Sequence, residues 1–171
     1  MGDAMGGIYT PILSGLTLAV LLLQVRMQAD FNRHTYDESY VQSARSDIDF
    51  YLQRLAQELD RPQDYGLPVG AFLCQNFSRT HDSLTVLARD FNRNHQRVFS
   101  LWNSFYTVVA GLSVHDRHPY NLAMETAKQR AYTLLTFECC VALDNYMSCV
   151  TEGRPGVTPI FARGLSEDSA A

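Results

Sequence analysis

The chain has 171 residues, enough for one domain with a full core, and its 46% hydrophobic and 19% charged residues are the composition of a folded protein. A formal net charge of −4 argues against nucleic acid as a partner, because such binders usually carry a basic excess. Cys74, Cys139, Cys140 and Cys149 make a poor disulfide framework: on one helix Cys139 and Cys149 would stand about 15 Å apart, so at most one bridge, through Cys74, is open, and reduced thiols in a cytoplasmic or nuclear setting are expected.

Residues 1–9 are glycine-rich and read as a loose N-terminus. A helix over 11–33 follows, with Thr10 as N-cap and Pro11 at its first position. Leu13, Leu16, Val20, Leu23, Met27 and Phe31 recur at three- and four-residue steps, and Leu18, Leu21 and Leu22 widen the apolar face until it nearly encircles the helix. The uncharged segment Ile12–Val25 has three readings. As a membrane contact, through residues 12–25, it is short for a span, which takes about 20 apolar residues. As part of a signal segment over 1–29 it lacks a basic leader, Asp3 being the only early charge. As a buried core helix it needs nothing special, and that reading is preferred.

Thr35-Tyr36-Asp37-Glu38 has the form of a capping box and opens a second helix over 36–60, with Val41, Ala44, Ile48, Tyr51, Leu52, Leu55 and Leu59 as its stripe. Arg61-Pro62 ends it, and the connector 61–80 holds a short helix over 69–77 carrying Phe72, Leu73 and Phe77. Asn76-Phe77-Ser78 matches a glycosylation sequon, which matters only in a secreted chain. A third helix over 82–113 repeats Leu84, Phe91, Val98, Phe105 and Leu112 every seven residues, in the manner of a coiled-coil seam. After a tight connection at 114–118, a fourth helix over 119–151 is stopped by Gly153 and Pro155. Its stretch 131–150 holds only Glu138 and Asp144 as charges, so it is expected to pack deeply. These elements predict an all-α fold: a four-helix bundle, up-down-up-down, in one domain over 1–151, with a partly disordered tail over 152–171.

If both tight turns lie at one end of that bundle, His34, His115 and His118 meet there with Asp37, Glu38 and Asp116, and zinc accepts such ligands. Exposed turn residues and helix caps account for the same pattern, so no metal and no cofactor is expected. His95 lies in the seam of the third helix, where a polar residue can fix register or partner choice. Arg89, Arg93 and Arg97 share a helix face at four-residue spacing and form a candidate anion-binding row, against a solvated or internally paired face. Cys139 and Cys140 lack a nucleophile motif and read as buried thiols. No phosphate-cradling glycine loop is present.

The function read from these residues is a non-enzymatic interaction or assembly module that binds a protein partner or self-associates as a homo-oligomer. Its expected contact residues are Leu18, Leu21, Leu22, Phe91, His95, Trp102 and Phe105. The alternatives are a secreted helical-bundle ligand with residues 1–29 as signal, and a metal-dependent site at the histidine turns.

Overall fold

The computed structural model describes residues 3–62, 66–78, 84–151 and 159–161, with side chains described from Leu13 onward. The described residues are helical in six segments: α1 (Asp3–Leu59), α2 (Val69–Phe77), α3 (Leu84–Asn94), α4 (Gln96–Ser113), α5 (His118–Leu135) and α6 (Phe137–Val150). The all-α expectation holds, and α2 falls where the connector helix was expected. The chain divides into two units, Met1–Tyr40 and Val41–Ala171.

Four long helices are not what forms. The expected helices 11–33 and 36–60 are one helix, α1, which also begins ahead of the Thr10-Pro11 start, at Asp3, where a loose terminus was expected. Pro11 removes one backbone bond, and the helix continues through it. At the expected break, the residues of the apparent capping box are satisfied inside the helix. The Thr35 hydroxyl donates back to the Phe31 carbonyl at 3.0 Å, and Glu38 pairs with His34 one turn earlier at 3.4 Å.

Unit 2 is built around α6. Its residues Cys139 to Met147 are buried on every side, so this helix is surrounded rather than lying on a surface. Three consecutive polar-tipped side chains show the consequence. Consecutive helical residues point about 100° apart, so Asp144, Asn145 and Tyr146 reach three neighbours. The Trp102 indole of α4 donates to Asp144 at 3.0 Å, Asn145 donates to the Phe77 carbonyl at the end of α2 at 2.9 Å, and Tyr146 donates to Asn92 of α3 at 2.9 Å. The C-terminal part of α1 supplies the stripe Val41, Ala44, Ile48, Leu52, Leu55 and Leu59, all buried. On α5 the buried positions Ala123, Ala127 and Ala131 are small and let neighbouring helices approach closely.

The expected helices 82–113 and 119–151 are each interrupted. His95 leaves helical geometry at φ −128° and ψ 40°, in a stretch (Asn92, Asn94, His95) of weak helix formers, and its ring stacks on Phe91 at 4.5 Å. Thr136 sits at φ 68°, the chain's one described non-glycine residue at positive φ, and its hydroxyl accepts the Cys139 amide at 3.4 Å as the N-cap of α6. Between α1 and α2, the Val69 amide donates to the Arg61 carbonyl at 3.0 Å, and Gly66 takes φ 81°. At Gly70 an added Cβ would stand 3.3 Å from that of Leu59, so a side chain there would press on the end of α1.

Part of the tail is core. Phe161 is buried against Trp102, Phe105 and Tyr132, with ring centroids 5.7, 6.5 and 5.1 Å away, and its amide donates to Asp144 at 2.7 Å. Residues 152–158 and 162–171 lie outside the described residues.

Candidate functional site

The expected contact residues separate into two sets. Phe91, Trp102 and Phe105 are buried in unit 2, where Trp102 stacks on Phe105 at 5.0 Å. They are corrected here from contact surface to core: the heptad seam that suggested a surface faces α6 and its neighbours. His95 is half-buried and belongs to the α3–α4 junction. Leu18, Leu21 and Leu22 are the opposite case, 58%, 52% and 63% exposed. The preferred reading of 12–25 as a buried core helix is therefore overturned for its described part.

Leu13, Leu16, Val20, Leu23, Val25, Met27 and Phe31 are exposed as well. At 100° per residue, Leu13, Leu16, Val20, Leu23, Met27 and Phe31 lie along one side of α1, and Leu18, Leu21, Leu22 and Val25 along the opposite side. Burying a large aliphatic side chain is worth about 1.5–3 kcal/mol, so removing this set from water would yield on the order of 10 kcal/mol. In unit 2, Phe50, Val86, Leu122 and Phe137 are exposed too, each on a different helix, and exposed apolar residues of this kind are ordinary for a protein surface. Among the described residues, no helix is long and apolar enough to cross a membrane.

The other candidates are not assembled. His34 pairs with Glu38 within α1, and the 34–35 turn that was to bring it near His115 and His118 does not exist. The His115 ring lies against Tyr120 at 4.5 Å, and His118 opens α5. Among the described residues, no group of three or more histidine, cysteine or carboxylate side chains is placed to hold a metal ion. The arginine row is broken by the helix interruption: Arg89 and Arg93 belong to α3 and Arg97 to α4. Arg93 pairs with Asp90 at 3.3 Å, and Arg97 with Glu58 at 3.4 Å. Glu58 also holds Arg61 at 2.9 Å, beside an open groove of about 460 Å³ lined by Phe50, Arg54, Gln57 and Leu101. A second open groove, about 500 Å³, is crossed by the Arg130–Asp49 pair at 2.7 Å.

The four cysteines are free thiols. Burial, and then Asp144 and Cys74 nearby, push the Cys140 thiol up to about 12. Burial, and then Cys74 and Cys140, push Cys139 up further. Thiols held this firmly protonated are weak nucleophiles at neutral pH, which fits packing groups. In the sequon, the Asn76 side-chain nitrogen donates to the Phe72 carbonyl at 2.8 Å, and Phe77 is fully buried.

Sequence reasoning missed Asp144 and Phe161. The signal for Asp144 was the lone charge in the stretch 139–147, in a chain with a single tryptophan. Phe161 sits among prolines and glycines in a segment with no periodicity, and nothing in the pattern marks it as core.

No protein-family model matches this chain, and neither curated proteins nor solved structures give a match.

Proposed function

We propose that this chain is a non-enzymatic assembly protein whose contact element is the N-terminal part of α1, with unit 2 as the folded body that this element attaches to a partner surface. The observation that carries the reading is the continuous exposed apolar surface from Leu13 to Val25, present on opposite sides of one helix. A surface of this extent is a contact site in a folded protein, since leaving it in water is costly. The buried thiols and the ion-paired grooves add no nucleophile and no ligand cluster that would favour catalysis instead.

The test is substitution of Leu18, Leu21 and Leu22 by glutamate, one at a time, in the full chain. Helix content and Trp102 fluorescence should match the parent, because these side chains are exposed. Partner binding or solution mass should fall. A parent protein that is monomeric and binds nothing, with every variant behaving identically, would remove the basis of the proposal.

A further inference from the structure

Resting on the contact role proposed for α1, we infer that the partner surface is a lipid bilayer, into which the N-terminal part of α1 inserts as a hydrophobic anchor.

The distribution of apolar residues decides between a protein and a lipid. A second helix packed along α1 covers one stripe, the a/d seam of a coiled coil. The row Leu13, Leu16, Val20 and Leu23 would be covered, and Leu18, Leu21, Leu22 and Val25, on the other side, would stay in water. Hydrocarbon surrounds a helix and covers both rows at once.

One polar group along this stretch agrees. The Thr17 hydroxyl donates to the Leu13 carbonyl at 2.8 Å, so it is satisfied by the helix itself and needs nothing from its surroundings. The described apolar part, 13–25, is about 20 Å long, short of the roughly 30 Å hydrocarbon core. In the sequence, however, the run without a charged residue begins at Ala4 and ends at Val25, and α1 already starts at Asp3. Those 22 residues would extend about 33 Å as a helix. The run ends abruptly: Arg26, Asp30 and Arg33 follow, with Gln24 and Gln28 beside them, a polar border of the kind found where an inserted helix meets water.

The experiment is flotation of the full chain with vesicles of neutral phosphatidylcholine on a density gradient, at low and high salt, beside its solution mass without vesicles. The protein should float, and high salt should not release it, because insertion is driven by apolar burial rather than by charge. Leu18→Glu combined with Leu21→Glu should cut the floating fraction at least about tenfold, since carboxylates are costly in hydrocarbon. Phe31→Glu, beyond the polar border, should leave flotation unchanged. A different pattern overturns lipid as the partner while leaving the contact role standing: a defined oligomer that stays at the bottom of the gradient and is dissociated by the Leu18/Leu21 pair. A monomer that neither floats nor binds a protein overturns both. Helix content and Trp102 fluorescence must be unchanged in each variant; their loss would show Leu18 and Leu21 to be core positions and would overturn the anchor too.

Discussion

Asp144→Leu tests the centre of unit 2. Asp144 is buried and accepts two hydrogen bonds, from the Trp102 indole at 3.0 Å and from the Phe161 amide at 2.7 Å. Leucine fills a similar space and accepts neither, which strands two buried N–H groups. Each stranded donor costs about 1–3 kcal/mol, and the gain from no longer burying a carboxylate offsets part of the sum, so the expected net loss is about 2–5 kcal/mol. Against a typical stability of about 5–15 kcal/mol this is a large fraction. Trp102 is the only tryptophan, so its fluorescence reports on this site directly during urea unfolding, with far-UV circular dichroism as the second probe. The urea midpoint should fall with little change in slope. A cycle with Trp102→Phe should show a coupling of about 0.5–3 kcal/mol. A change below about 0.5 kcal/mol for Asp144→Leu, which is the range of ordinary surface substitutions, would refute the role given to this carboxylate.

Phe105→Ala should cost about 3–5 kcal/mol because the ring is fully buried, and Arg93→Ala well under about 1 kcal/mol because its pair with Asp90 is exposed; equal losses in urea unfolding would mean the core has been misplaced. Thr136→Gly should stabilise by about 0.5–1 kcal/mol, since relief of the positive φ outweighs the weakened cap; a lower melting temperature would contradict this. Stability should also decline in alkali. Unfolded thiols ionise near 9.0 while folded Cys140 keeps its proton to about 12, so between these values the unfolded state binds fewer protons and stability falls as pH rises. The slope is about 1.4 kcal/mol per pH unit for each such thiol, and a urea midpoint that stays flat from about pH 9 to 11 would rule the effect out.

The stripes of unit 2 were legible because periodicity records burial against neighbours along the chain. Val41, Ala44, Ile48, Leu52, Leu55 and Leu59 are buried as the three- and four-residue steps require, and so are Phe91, Val98, Phe105 and Leu112. Helix interruptions were not legible. Thr35 and Glu38 satisfy a helix start and a helix interior with the same atoms, so the motif alone does not choose. Thr136 carries no glycine to announce its positive φ. For the candidate site, the sequence showed that α1 is apolar on nearly every side between 12 and 25. Whether that surface faces the chain's own core is a tertiary question, and periodicity reads identically either way.

The position of Phe161 bears on how this protein is made. Its ring completes the aromatic packing on Trp102, and its amide one side of the Asp144 site, so the core that begins at Val41 is not complete until residue 161 is free of the ribosome. Chains lengthen at about 5–20 residues per second. The leucines of α1 therefore emerge on the order of ten seconds before unit 2 can finish folding. During synthesis the order is fixed: the exposed leucines of α1 leave the ribosome while unit 2 is still unfinished, so the contact proposed for them is free to form before the body folds.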